Sequence, residues 1–186
     1  MKFNNHSAIA GSHAFLSPSY YHWLNYEDDY LIERLTKSKA AERGSRLHDL
    51  AAELIELGVK LVNNKQTLNQ YVNDAIGYRM SPEQPLFYSK NCFGTADAIS
   101  FRRNLLRIHD LKTGSSKVSE LQLYIYAALF CLEYDYKPFE IEYELRIYQE
   151  GEVQIYTPTP DEIAHIISKI VYFDKKISEF EAAMEG

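Results

Sequence analysis

The chain has little of what several protein classes require. Only two of its 186 residues are cysteine, Cys92 and Cys131. Two thiols so far apart make neither a disulfide framework nor a four-thiolate cluster, and a reduced, cytoplasmic setting is expected. No run of about 18 apolar residues is present, so no membrane span is expected. The opening "MKFNNHSAIAGSHAF" has no apolar core long enough for a secretory signal. Basic charge is in deficit: 20 Lys and Arg stand against 26 Asp and Glu, a net charge of −6. No global basic footprint advertises nucleic acid. The basic residues gather locally instead, as Arg102, Arg103 and Arg107 and as Lys37, Lys39, Arg43 and Arg46. Each group alone is an ordinary solvated face. The chain also lacks internal repeats, a Pro/Gly/Ser-rich linker and any ATP-binding motif.

What is present is globular: 46% hydrophobic and 25% charged residues, with 15 tyrosines. That composition and length predict one domain, 1–186, or one domain with a small appendage, with a proper core. "LSPSYYHWLNY" predicts a turn leading into a helix, capped by Ser17 or Ser19 with Pro18 in the first turn and Trp23 as a core anchor. Leu47, Leu50, Ala51, Leu54, Ile55 and Leu57 form a stripe at helical spacing, predicting a helix from about Arg43 to Leu61. A short helix is expected around Leu68 to Ile76, followed by a loop to residue 84. "PLFYS", "CFGTADAISF" and "LLRIHDLKT" predict a three-strand meander. A buried helix over 116–134 follows, capped by Ser115 or Ser116. Phe139 to Ile147 alternate apolar with charged residues, and Glu150-Gly151 turns that strand into another. Thr159-Pro160-Asp161-Glu162 opens a C-terminal helix over 160–184. The fold class is thus α/β or α+β: a helical part over 15–80, then a mixed sheet over 85–157 flanked by helices.

One stretch carries a chemical signal. In "GTADAISFRRNLLRIHDLKTG", Asp97 lies inside one strand and Asp110 and Lys112 end the next. A carboxylate in an apolar strand is costly unless a cation satisfies it. Adjacent strands place Asp97 and Asp110 as neighbours, and Lys112, two residues on, shares a face with Asp110. Two carboxylates at that range raise each other's pKa, and a divalent cation removes the repulsion. An ammonium beside it can orient water and stabilise charge developing on a phosphate. The outline is metal-assisted phosphodiester hydrolysis.

"GTADAI…IHDLKTG…QLYIYAAL" closely resembles the PD-(D/E)XK nuclease superfamily, in particular its RecB-like and phage exonuclease branch. The G-x-x-D strand is Gly94 to Asp97, the D-x-K strand end is Asp110 to Lys112, and the Q-x-x-x-Y helix carries Gln122 and Tyr126. Upstream, "RGSRLHDLAAEL" is similar to the helix in which a histidine ligates metal, which puts His48 in that role; "LSPSYYHWLNY" resembles the opening segment. The resemblance spans about Leu16 to Tyr126 and implies a restriction-endonuclease-like core. It implies Mg2+, or Mn2+, held by Asp97, Asp110, the Leu111 carbonyl and His48, with Lys112 activating water and Gln122 and Tyr126 orienting DNA. Where several relatives carry cysteine this chain has Asn25-Tyr26, so no iron–sulfur cluster is expected. Without a motor motif, the expectation is a stand-alone DNA exonuclease of phage or bacterial recombination, replication or repair. It acts on duplex or single-stranded DNA in the cytoplasm, alone, as a homo-oligomer or with a partner protein. The rival expectation keeps the fold and drops the reaction, leaving a subunit that binds DNA ends or a partner. Glu53 lies about 140° round the helix from His48 and faces elsewhere. Tyr124 is expected to pack, and His6, His13, His22, His109 and His165 show no partner pattern.

Overall fold

Helix occupies most of the chain from Asp28 to Gly77, gives way to strands, and returns twice. The computed structural model describes residues 14–185, so His6 and His13 lie outside the described residues. Two compact units divide the chain, Met1–Arg43 and Gly44–Gly186. The division falls inside α1 (Asp28–Leu57). Before α1, Pro18–Asn25 form a 3-10 helix with Pro18 at its start; Ser17 stands at the cap but its side chain makes no capping bond.

Helix α1 begins fifteen residues before the expected start at Arg43. Its first turns carry no apolar stripe to signal them. Asp28 and Asp29 face the positive end of the helix dipole, and Glu33–Lys37 and Lys39–Glu42 pair along the surface. The helix stops at Gly58 (φ 67), four residues short of Leu61. The Val59 N–H donates to the Leu54 carbonyl at 2.9 Å and the Gly58 N–H to Ile55 at 3.1 Å, which closes the end.

There follow α2 (Thr67–Gly77), β1 (Ser81–Ser89), β2 (Cys92–Arg102), β3 (Leu105–Leu111), α3 (Leu121–Glu133), β4 (Glu142–Gln149), β5 (Glu152–Tyr156) and α4 (Pro160–Glu185). The five strands form one mixed sheet in chain order, antiparallel except for the β3–β4 pair, which α3 connects. The mixed sheet flanked by helices and the meander hold. Three boundaries move. β1 starts at Ser81, four residues before Pro85, because an edge strand tolerates Pro82 and Pro85. α3 starts at Leu121 rather than residue 116, and neither Ser115 nor Ser116 caps it; the Gln149 side chain donates instead to the Gly114 and Ser116 carbonyls and holds them in a loop. Phe139 falls in a 3-10 turn, Pro138–Glu140, and is exposed. At the start of α4 the expected signal is a capping box: Glu162 N–H donates to Thr159 Oγ1 at 3.3 Å, and Thr159 N–H to Glu162 Oε2 at 2.8 Å.

The β4–β5 turn is Glu150 (φ 51) and Gly151 (φ 81), as expected from Glu-Gly. A Cβ on Gly151 would sit 2.7 Å from the Lys65 carbonyl oxygen. Gly151→Ala therefore combines a disfavoured backbone with a clash against main chain. It should cost about 2 kcal/mol, read as a loss of about 4–8 °C in a thermal melt.

One sheet face packs on α3 and α4 through Leu86, Ile108, Leu129, Leu145 and Ile163. The other packs on α2 and the Gly44–Leu57 part of α1, with Ala51, Ile55, Tyr71 and Val72 against Ala98, Leu111 and Tyr148. On that second face His109 is fully buried. Tyr148 donates its hydroxyl proton to Asp74 Oδ2 at 2.7 Å, so its oxygen, 3.2 Å from His109 Nδ1, takes a proton from that nitrogen. His109 Nε2 is buried without a partner, where a proton would be an unpaired charge. Burial, then Arg146 and Arg107, push the imidazole down to about 3. A lowered histidine adds stability above its unfolded value, and that stability is lost as pH falls from about 6.5 toward 3. Urea midpoints should drop between pH 7 and pH 5 for the native chain, and the drop should be smaller for His109→Leu.

Candidate metal centre at a strand fork

The β2–β3 ladder ends at Ala98 opposite His109. One more rung in the same register would set Asp97 against Asp110. Instead Asp97 Oδ2 accepts the Leu111 N–H at 2.8 Å, while β3 runs on beside β4 and the Lys112 N–H donates to the Tyr148 carbonyl at 2.9 Å. A side chain takes the place of main chain, and the strands part. Face alternation slips at the same point, since Ala96 belongs to the core under α3 and Ala98 to the core under α2. Glu83 of β1 shares the irregularity: it lies between the pairs Pro82–Ala98 and Gln84–Ala96 with φ 46, a left-handed backbone unusual in a strand.

Two strings of side chains meet at this fork. In the first, His48 Nδ1 lies 3.4 Å from Asp97 Oδ2. One ligand atom each of His48, Glu83 and Asp97 fall within 4.8 Å of one another, the sole such group among the described residues. In the second, Asp110 is almost wholly buried, with Lys112 Nζ 3.1 Å from its Oδ1 and 2.9 Å from its Oδ2. The approach to Oδ2 lacks hydrogen-bond alignment and leaves that buried oxygen unsatisfied. Lys112 also donates to Gln122 Oε1 at 2.8 Å, and Gln122 Nε2 lies 3.5 Å from the Tyr126 hydroxyl. α3 thus holds the ammonium against the carboxylate.

The electrostatics are those of a site short of positive charge. Burial raises the Asp110 carboxyl above the usual range, and Asp97 raises it further. Glu83, though exposed, is raised by partial desolvation and then by Asp97. The hydrogen bond to Asp97 raises His48 against the opposing effect of burial. Carboxylate oxygens with one imidazole suit Mg2+ or Mn2+, and the unsatisfied Asp110 oxygen is what a cation would satisfy. The donor set fits the group.

Two motif glycines bring the parts together. A Cβ on Gly44, at the foot of the His48 segment, would meet Thr113 Oγ1 at 2.8 Å. On Gly94 it would meet the Tyr126 ring at 3.0 Å. The first contact sets α1 against the end of β3, and the second sets α3 against β2.

Of the residues singled out in the sequence, His48 and Asp97 stand with Glu83 at ligand distance, and Asp110 stands outside that group, paired with Lys112, which Gln122 and, beyond it, Tyr126 back. Leu111 gives its N–H to Asp97 and buries its side chain under α2. Glu53 is exposed and Tyr124 packs on the core under α3. Sequence reasoning missed Glu83, because "SPEQP" has no strand pattern and two prolines. Glu83→Asn keeps a residue that accepts positive φ and removes the charge beside Asp97. It should hold or slightly raise the melting point without metal and weaken Mn2+ binding by calorimetry about tenfold or more; unchanged affinity would exclude Glu83 as a ligand.

No protein-family model, no curated protein and no solved structure matches this chain.

Proposed function

We propose that the chain is a metal-dependent DNA nuclease with a restriction-endonuclease-like core, hydrolysing phosphodiester bonds. The observation that carries the reading is the fork itself. Asp97 and Asp110 end where two strands part, His48 touches the first, and Lys112 is held on the second by Gln122. A purely structural ion pair has no need of a second, partly buried carboxylate that raises its neighbour's pKa. Asp97, Asp110 and His48, with Glu83 and the Leu111 carbonyl, would hold Mg2+ or Mn2+. Bound there, the cation supplies Lewis acidity toward a phosphoryl oxygen and a more acidic water.

The chain's own groups do the rest. Lys112 sets a fixed positive charge where negative charge grows on the phosphate as water adds and the leaving oxygen departs. Gln122 keeps the Lys112 ammonium from swinging into solvent, and Tyr126 extends that string toward the substrate. The resemblance to the RecB-like and phage branch favours exonuclease action in phage or bacterial DNA processing. Linear and covalently closed circular DNA, incubated with Mg2+, test this directly. Loss of the linear form alone supports an exonuclease. Cutting of both forms keeps the nuclease and drops the exonuclease. The net charge of −6 favours the rival, a silent subunit that binds DNA ends or a partner. Tight DNA binding with both forms left intact would select it.

A further inference from the structure

The N-terminal unit contains a cleft of about 430 Å³ built wholly from residues before Gly44. Phe15, His22, Trp23 and Tyr26 line it from the segment ahead of α1, and Arg34 and Lys37 line it from α1. Its size lies within the range of small-molecule sites, about 300–1,000 Å³. From this cleft we infer a binding site for one unpaired nucleobase and its phosphate, in single-stranded nucleic acid.

The aromatic side is held in place before any ligand arrives. Trp23 is half-buried and its indole N–H donates to the Ser17 carbonyl at 3.0 Å. The Tyr26 N–H donates to the Trp23 carbonyl at 3.1 Å, and the Tyr26 ring meets Tyr30 edge-on at 4.7 Å. Fixed rings lose little entropy on stacking, and every base offers a face to stack. The cationic side is exposed and available. Arg34 and Lys37 are three residues apart on one helix face. Lys37 is tied only to Glu33 in a surface pair of two exposed side chains, which a phosphate can displace. Among the described residues, Arg34 has no ion-pair or hydrogen-bond partner. In a chain of net charge −6, these two cations bring to an aromatic cleft the local positive charge that phosphate recognition requires. The use of such a site rests on the nuclease reading, in which it would grip a single strand. Its chemistry does not need that reading.

Trp23 is the only tryptophan of the chain, so intrinsic fluorescence reports on this cleft. The full chain, in EDTA, is titrated with a short thymidine oligonucleotide and with an abasic oligonucleotide of the same phosphate count. The expected result is saturable quenching by the first and little by the second. Phe15→Ala and Arg34→Ala, both at exposed positions, should each weaken binding about tenfold. Arg34→Ala should also reduce the slope of log affinity against log salt by about 0.7, one single-strand phosphate. No quenching, equal quenching by the abasic strand or by polyglutamate, or an unchanged salt slope in Arg34→Ala each overturn the proposal. No divalent cation and no turnover enter the measurement. DNA left uncut with quenching intact would sink the nuclease reading alone, and cleavage without quenching would sink this site alone.

Discussion

Lys112→Ala should keep cation binding, lower the melting point without metal because it leaves Asp110 buried and unpaired, and lower metal-dependent DNA hydrolysis by about two to three orders of magnitude. The size follows from what the ammonium does. It is one quarter exposed, held by Asp110 on one side and by Gln122 on the other. A preorganised charge in such a place needs no rearrangement as the phosphate gains negative charge. Its loss is felt in the rate of the chemical step, not in affinity for DNA. Gln122→Ala, which frees the ammonium without removing it, should cost less, and Lys112→Arg should not restore the rate, because a guanidinium is a planar fork and not a compact point charge. A drop in DNA affinity with an unchanged single-turnover rate would instead make Lys112 a phosphate tether.

The second large effect is on stability. Without metal, the raised carboxyls of Asp110 and Glu83 mean that their stabilising contribution is complete below the ordinary carboxylate range. It is lost as pH rises through their folded values. At neutral pH the chain then carries the repulsion among Asp97, Asp110 and Glu83, which Lys112 and His48 offset only in part. Mg2+ or Mn2+ at 100 times its dissociation constant should add about 2.7 kcal/mol, or roughly 5–10 °C for a chain of this size. The gain should shrink at pH 5, where protons compete for the carboxyls and for His48. Asp110→Asn removes the most buried of the charges. At neutral pH without metal it should melt at or above the native chain, by about 1 kcal/mol at most, and most of the cation-induced rise should vanish. His109 works in the opposite sense, losing stability as pH falls below about 6.5. The comparison is therefore made at one pH, with and without cation.

The fold's order was legible because its elements had local causes. β2 and β3 are short apolar runs split by a turn, β4 alternates, α4 announces itself with Thr159 and Glu162, and the Glu150-Gly151 turn needs a glycine at positive φ. The candidate site residues were picked out by short motifs, and two glycines of those motifs have a packing reason, the close approach of Thr113 to Gly44 and of Tyr126 to Gly94. What was hidden depended on tertiary context. The first half of α1 is polar and stands on charge pairs and a dipole, not on a stripe. The loop before α3 is set by Gln149, some thirty residues further on. Glu83 sits in a proline-flanked stretch that becomes an edge strand only because β2 pairs with it. The departure from a regular ladder at Asp97 and Asp110 was also beyond reach. Alternation predicts two carboxylates on one rung, whereas the side-chain bond from Asp97 to the Leu111 N–H opens the strands there.

Single-turnover hydrolysis of end-labelled linear DNA in Mg2+ and in Mn2+ asks whether this fork is a metal-dependent phosphodiesterase site. The native chain, Asp110→Ala and Lys112→Ala are compared, with Mn2+ binding measured on the same preparations. The predicted result is cleavage by the native chain only, with Mn2+ bound by the native chain and Lys112→Ala and weakly if at all by Asp110→Ala. A folded native chain that binds Mn2+ and leaves both single- and double-stranded DNA intact would contradict it.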